Sequence, residues 1–86
     1  MATRILMIED DARLAGMVAR DLGRSGLEVT SSGTASEGLA RLAREPFDLV
    51  LLDLTLPDAD GLDVCRRLRA SGSAVPVIML TARGEP

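Results

Sequence analysis

Hydrophobic and polar residues alternate in blocks along the chain, and each block has the length of one secondary-structure element. Three short, mostly apolar runs and one short segment of mixed character predict β-strands, and the runs of the first and third are those of strands buried on both faces in a parallel sheet. Between the runs, apolar residues recur at helical spacing, which predicts amphipathic helices. The predicted strands are residues 4–8, 27–30, 48–53 and 75–80, with one helix in each gap. This alternation predicts an α/β fold with a doubly wound parallel sheet.

Capping and turn residues mark where the predicted helices begin and end. The first helix begins at Ala12 and stops before Gly26, which suits a left-handed turn. Thr34 and Glu37 have the spacing of a capping box and begin the second helix, and Gly72 ends the third. The helical residues expected to face the core are Leu14, Met17, Val18, Leu22, Leu39, Leu42, Leu62, Cys65 and Leu68.

Length and composition limit the classes of protein that fit. A chain of 86 residues and 9.1 kDa forms one domain. Phe47 is the only aromatic residue, so the core is aliphatic and no aromatic platform exists for stacking bases. The net charge of −3 and the scattered basic residues argue against direct nucleic-acid binding. With no signal-peptide layout and no apolar run long enough to span a membrane, we expect a cytoplasmic protein without membrane contact.

The reactive side chains are carboxylates and hydroxyls. Cys65 is the only cysteine and histidine is absent, which excludes an internal disulfide framework and the commonest zinc ligand sets. Lysine is absent as well, so every side-chain cation is an arginine. We interpret Cys65 as a small hydrophobic residue of the third helix. Any chemistry must therefore come from acids and hydroxyl groups.

Acidic residues follow two predicted strands. Glu9, Asp10 and Asp11 come after the first strand, and Asp53 ends the third. The carboxyl ends of parallel strands meet at one edge of the sheet, where ligands bind. Close carboxylates repel one another unless a cation binds them, and an all-oxygen set favours Mg²⁺. A carboxylate there can also act as a nucleophile toward a phosphoryl group.

The fourth strand ends beside this predicted site. Thr81 follows it directly and would supply a hydroxyl group, and the small Ala82 leaves its backbone N–H approachable. Taken alone, Thr81 is equally consistent with an ordinary strand-end residue. A hydroxyl and an N–H at this edge would stabilise the oxygens of a transferring phosphoryl group.

Other interpretations of the same residues remain open. The run from Glu9 to Asp11 is also consistent with a simple cap of the first helix. Asp58 and Asp60 are interpreted as turn formers that bond locally, not as ligands. A dinucleotide-binding oxidoreductase requires a glycine-rich turn after the first strand, where this chain has acids. An aspartyl-phosphate phosphatase requires an aspartate two residues after Asp53, and Thr55 occupies that position.

The sequence resembles the receiver domain of a two-component response regulator over nearly its whole length. The motifs that carry the resemblance are Ile8-Glu9-Asp10-Asp11, Leu52-Asp53-Leu54-Thr55-Leu56-Pro57 followed by Asp60-Gly61, and Leu80-Thr81-Ala82. The resemblance implies a flavodoxin-like parallel sheet with strand order 2-1-3-4. The acidic motif and the loop after Asp53 are most similar to the DNA-binding transcription-factor branch of the family.

The resemblance also implies roles for particular residues. Asp53 would be the phosphoacceptor, receiving a phosphoryl group from a sensor histidine kinase in the presence of Mg²⁺. The implied magnesium ligands are Glu9 through water, Asp10, Asp53 and the backbone carbonyl of Thr55. Thr81 would be the switch hydroxyl that contacts the phosphoryl group, together with the backbone N–H of Ala82. Such a domain is a regulatory phosphoacceptor, and its only catalysis is its own phosphorylation and dephosphorylation.

The chain departs from the family pattern after the fourth strand. The family fold continues with a helix, a fifth strand and a closing helix, and a lysine at the end of the fifth strand has no counterpart here. We therefore expect residues 1–86 to be an incomplete receiver domain that lacks its transcriptional output domain. The unpaired fourth strand predicts a homo-oligomer formed through this edge. A second hypothesis follows: a self-associating interaction module that cannot be phosphorylated.

Overall fold

The computed structural model of the chain describes residues 2–54 and 56–80. Strands and helices alternate as β1 (Arg4–Ile8), α1 (Ala12–Gly23), β2 (Glu28–Ser32), α2 (Ala35–Arg44), β3 (Leu49–Asp53), α3 (Gly61–Ala70) and β4 (Val77–Leu80). All strand pairs are parallel, and the order in the sheet is β2-β1-β3-β4. The predicted α/β fold and strand order are confirmed. No helix in these ranges is long and apolar enough to cross a membrane.

The strand register aligns the carboxyl ends of the two central strands. Ile8, the last residue of β1, pairs with Ser32 on one side and Leu52 on the other. The chain leaves β1 toward β2 and later returns to the other side of β1 as β3, so the strand order reverses between β1 and β3. In open parallel sheets, ligands bind at the carboxyl ends of strands at such a reversal.

Two aliphatic clusters cover the two faces of the sheet. Leu6, Ile8, Val50 and Leu52 form one cluster with residues of α2, α3 and the segment before α3. Ile5, Met7 and Leu51 pack with Ala15 of α1 on the opposite face. Because β1 and β3 are covered on both sides, nearly every residue in them is buried. This burial explains the unbroken apolar runs in the sequence.

Of the helical residues predicted to face the core in α1 and α3, Val18, Leu22, Cys65 and Leu68 are confirmed, and Leu14, Met17 and Leu62 are wrong. Met17 of α1 and Leu62 of α3 were expected in the core, but they are 54% and 52% exposed. In α1 the residues packed on the sheet are Ala15, Val18 and Leu22, and Leu14 and Met17 lie to one side of this face. In α3 the buried residues are Gly61, Val64 and Leu68.

Element boundaries differ slightly from the predictions. β2 extends to Ser32, two residues beyond the predicted end at Thr30, because the backbone of Glu9 donates a 2.9 Å hydrogen bond to the Ser32 carbonyl. β4 begins at Val77 instead of residue 75, and Pro76 contributes only its carbonyl, which accepts from the Val50 N–H at 2.9 Å. Gly26 and Gly72 adopt positive φ angles of 85° and 93°, as predicted for residues that end helices.

Candidate functional site

Three carboxylates converge where β1 and β3 end. Glu9, Asp10 and Asp53 each offer one oxygen atom, and these atoms lie within 4.8 Å of one another. Glu9 and Asp53 are 6% and 3% exposed, whereas Asp10 is exposed to solvent. Within the described residues, two of the three carboxylates are therefore buried and the third is in contact with solvent. The prediction that these acids share one edge of the sheet is confirmed.

Glu9 is held in the cluster by two backbone contacts. Its own N–H donates to the Ser32 carbonyl, and its carboxylate accepts from the Asp11 N–H at 3.0 Å. Burial raises the pKa of the Glu9 carboxyl, and the charges of Asp53, Asp10 and Asp11 raise it further, while the Asp11 hydrogen bond lowers it. Burial, and after it the neighbouring like charges, thus disfavours the ionised form of Glu9.

Asp11 has a different role from its two neighbours. Its Oδ1 accepts hydrogen bonds from the Arg13 and Leu14 N–H groups at 3.0 and 3.2 Å, which makes it the N-cap of α1. Each of the two interpretations of the acidic run, a helix cap and a cation site, therefore holds for different residues. Asp11 caps the helix, and Glu9 and Asp10 join Asp53 in the cluster.

The segment after Asp53 folds back against the end of β3. The Gly61 N–H donates to the Leu54 carbonyl at 2.9 Å. A Cβ atom at position 61 would lie 2.8 Å from the Leu54 Cα and 2.9 Å from the Asp53 carbonyl oxygen. Only glycine permits this approach without a backbone shift. The close contact fixes where α3 begins relative to the acidic cluster.

Two aspartates in this segment cap different helices. The Asp60 carboxylate accepts from the Leu62 N–H at 2.8 Å and caps α3, in agreement with its predicted local role. Asp58 was also expected to bond locally, and its carboxylate does bond its own backbone, but it also reaches a second helix, which was not predicted. Its two oxygens accept from the Ala35 and Ser36 N–H groups of α2 at 2.8 and 3.0 Å. These hydrogen bonds lower the pKa of the Asp58 carboxyl.

The donor set of the cluster fits a hard divalent cation. Mg²⁺ binds oxygen at about 2.1 Å, so two of its ligand atoms lie at most about 4.2 Å apart. The separation of 4.8 Å or less among the carboxylate oxygens is close to this limit. Carboxylates without nitrogen or sulfur suit hard cations such as Mg²⁺, Ca²⁺ and Mn²⁺, and Mg²⁺ usually keeps several water ligands beside one or two carboxylates.

Three of the predicted site residues lie outside the described part of the chain. Thr55, Thr81 and Ala82 belong to this group. Their predicted contributions, a carbonyl ligand, a hydroxyl and a backbone N–H, remain predictions.

The sequence matches the response regulator receiver domain over residues 5–86. The chain belongs to this family. It is 48% identical over 81 residues to the sensory transduction protein RegX3 of Mycolicibacterium smegmatis, an alignment that covers 94% of this chain and 35% of that protein. It is 46% identical over 85 residues to the DNA-binding response regulator MtrA of Mycobacterium leprae, covering 99% of this chain and 37% of that protein. The chain thus spans about a third of the length of these relatives.

Solved structures of response regulators have the same fold. One of them, the response regulator TrrA of Thermotoga maritima in complex with Mg²⁺ and a beryllium fluoride, superimposes with a TM-score of 0.89 at 28% identity. The alignment covers 95% of this chain and 71% of that one. The resemblance inferred from the acidic motifs is confirmed at the level of family and fold.

Proposed function

We propose that this receiver domain accepts a phosphoryl group on Asp53 from a sensor histidine kinase and thereby controls a transcriptional output domain. The observation that carries the proposal is the convergence of the Glu9, Asp10 and Asp53 oxygens within 4.8 Å at the ends of β1 and β3. The DNA-binding relatives and the Mg²⁺-bound neighbour support it. The domain itself makes no nucleic-acid contact in this proposal, and it acts in the cytoplasm.

In the proposed phosphoryl transfer, Asp53 is the nucleophile. An oxygen of the Asp53 carboxylate attacks phosphorus, the bond from phosphorus to the imidazole nitrogen of the kinase breaks, and Asp53 becomes an acyl phosphate. Asp53 is the last residue of β3, and the pairing of this strand with β1 and β4 fixes its backbone. A fixed nucleophile lowers the entropic part of the barrier.

The proposed cation would be held by Glu9, Asp10, Asp53 and the Thr55 carbonyl. Mg²⁺ held by these residues would supply positive charge that stabilises the oxygens of the phosphoryl group. Glu9 would contribute mainly through a water molecule, and its contacts with Ser32 and Asp11 keep its carboxylate oriented. Thr81 and Ala82 would donate their O–H and N–H to phosphoryl oxygens.

Intact mass measurement tests this proposal. The chain is incubated with Mg²⁺ and acetyl phosphate beside two variants, Asp53→Asn and Asp63→Asn. Asp63 is an exposed residue of α3 that pairs with Arg66, which makes it a matched control outside the cluster. We expect one alkali-labile phosphoryl adduct in the wild type and in Asp63→Asn, and none in Asp53→Asn. A folded wild-type chain without an adduct would contradict the phosphoacceptor role.

A second proposal concerns self-association through the edge of β4. In the described ranges β4 pairs with β3 alone, and Ile78 is 51% exposed on this strand. Unpaired strand edges with exposed apolar side chains favour pairing with another chain. Association of this kind needs no phosphoryl transfer, so it is the function that would remain if Asp53 were not phosphorylated.

Sedimentation of matched lysine variants tests the self-association. Lysine on an edge strand opposes pairing, so Ile78→Lys is expected to be a monomer at concentrations where the wild type associates. Leu62→Lys is the control, because Leu62 is an equally exposed leucine on α3 at 52%. A wild-type chain that sediments as a monomer at micromolar concentration would contradict the proposal.

A further inference from the structure

The segment between β3 and α3 begins directly after Asp53, and its described residues, 54 and 56–60, are attached to the rest of the fold at three places. At its base, Gly61 donates to the Leu54 carbonyl. In its middle, Leu56 is 8% exposed and belongs to the core beside α2 and α3. At its tip, the Asp58 carboxylate bonds to α2. We call residues 54–60 the β3–α3 loop.

The contact at the tip joins the loop to the first turn of α2. Both oxygens of Asp58 are used, one for the Ala35 N–H at 2.8 Å and one for the Ser36 N–H at 3.0 Å. These N–H groups have no partner within the helix, and a carboxylate at a helix N-terminus also interacts favourably with the helix dipole. The contact therefore satisfies two backbone donors with one charged side chain.

The same helix is anchored to the end of β1. Gly38 of α2 lies so close to Ile8 that a Cβ at position 38 would be 2.5 Å from the Ile8 Cδ1. Ile8 immediately precedes Glu9, the buried acid of the cluster. The helix α2 thus contacts the β3–α3 loop through Asp58 and the end of β1 through Gly38.

These contacts connect the two strand ends that carry the acidic cluster. The connection runs from Asp53 through the loop to Asp58, across α2 to Ile8, and on to Glu9. We propose that Asp58 is a positioning residue, which fixes the β3–α3 loop relative to the end of β1 and thereby sets the affinity of the cluster for a divalent cation. This inference rests on the cation site of the proposed function.

A purely structural role for Asp58 predicts a different outcome. In that case Asp58 would only stabilise α2, and any loss of a cap on this helix would have the same effect. The chain contains a suitable comparison, because the Thr34 Oγ1 accepts from the Glu37 N–H at 3.1 Å in the same turn. The Thr34 hydroxyl therefore caps α2 by a bond within the helix, and this bond does not involve the β3–α3 loop. The two caps can therefore be removed separately.

Calorimetric titration with Mg²⁺ separates the two roles. It uses the wild type, Asp58→Ala, Asp58→Asn and Thr34→Ala, each checked by circular dichroism for a folded state. We expect Asp58→Ala to weaken Mg²⁺ binding about tenfold, the lower end of the loss seen when a residue that orients metal ligands is removed. Asp58→Asn keeps one acceptor oxygen and should recover part of the affinity. Thr34→Ala should bind as the wild type does.

Amide hydrogen exchange gives a second readout that needs no metal. The Gly61 N–H lies at the base of the loop, and we expect it to exchange faster in Asp58→Ala than in the wild type or Thr34→Ala. Unchanged exchange at Gly61, or equal Mg²⁺ affinities in Asp58→Ala and Thr34→Ala, would overturn the inference.

The inference and the proposed function fail in different ways. A wild-type chain that binds Mg²⁺ with the expected dependence on Asp58, but forms no acyl phosphate, supports the positioning role and contradicts the phosphoacceptor role. A chain that is phosphorylated on Asp53 while Asp58→Ala retains wild-type Mg²⁺ affinity supports the phosphoacceptor role and overturns the inference.

Discussion

The carbonyl oxygen of Asp53 lies 2.9 Å from the position that a Cβ atom would take at Gly61. The two nearest neighbours of this position belong to the backbone, since the Leu54 Cα is 2.8 Å away. A side chain at Gly61 cannot be accommodated by a rotamer change and must displace the backbone. The end of β3 and the start of α3 are therefore coupled through a glycine.

The first prediction is that Gly61→Ala destabilises the domain and weakens cation binding. We expect a loss of about 1–3 kcal/mol, the usual cost of overpacking. Gly16→Ala is the control, because nothing lies within 4 Å of a Cβ at Gly16 within α1. Alanine there should stabilise by about 0.5–1 kcal/mol through its higher helix propensity. Urea unfolding and Mg²⁺ titration of both variants check the prediction, and a Gly61→Ala variant as stable as the wild type would contradict it.

The second prediction concerns the contact between Gly38 and Ile8. A Cβ at Gly38 would meet two atoms of the Ile8 side chain, Cδ1 at 2.5 Å and Cγ1 at 2.7 Å. Ile8 is fully buried, so its side chain has little room to move. We expect Gly38→Ala to cost about 1–3 kcal/mol.

A double-mutant cycle checks this contact. Ile8→Val removes Cδ1 and should cost about 0.5–1.5 kcal/mol alone. In the double variant, part of the clash is gone, so the loss should be smaller than the sum of the single losses. Additive losses, measured by urea unfolding, would show that the contact between these two residues is not the cause.

The sequence predicted the sheet well because β1 and β3 are buried on both faces. Their apolar runs end at Glu9 and Asp53, which placed both acids at the same edge. The helix faces were harder to predict, because in α1 and α3 neighbouring positions such as Leu62 and Val64 are both apolar. Only packing decides between them, and Val64 is 1% exposed while Leu62 is 52% exposed. A longer helix with a longer apolar stripe would have shown which of its sides faces the sheet.

The role of Asp58 had no signal in the sequence. Its partners, Ala35 and Ser36, are 23 and 22 residues away and are contacted through their backbone. Any residue types at 35 and 36 except proline would offer the same N–H groups. A backbone partner leaves no trace in side-chain patterns, so the local turn interpretation was the natural one.

The third prediction is that Glu9→Gln stabilises the metal-free domain and weakens its binding of Mg²⁺. Burial and the neighbouring charges raise the pKa of Glu9, which means that its ionised form disfavours the folded state. The loss of folding stability caused by ionised Glu9 is complete above the pKa that Glu9 has in the folded state. It disappears as pH falls and Glu9 gains a proton.

Melting temperatures with and without Mg²⁺ check the Glu9 prediction. In a chelator at neutral pH, Glu9→Gln should melt above the wild type, and the difference should decrease in acid. Addition of Mg²⁺ should raise the melting temperature of the wild type more than that of the variant, since a ligand of the folded state stabilises it. A variant that melts below the wild type in the chelator would mean that the hydrogen bonds of Glu9 outweigh the repulsion.

The last prediction is that the contribution of Asp58 to stability is lost in acid. The N–H groups of Ala35 and Ser36 lower the pKa of Asp58 below its usual value of 3.8. A carboxyl with a lowered folded pKa stabilises the fold fully above its unfolded pKa, and this contribution is lost as pH falls through the folded pKa. Asp58→Ala should therefore be less stable than the wild type at neutral pH, and the two should converge below pH 3.8. Urea unfolding across this range measures the difference, and a gap that widens in acid would mean that the charged form of Asp58 is not what holds α2.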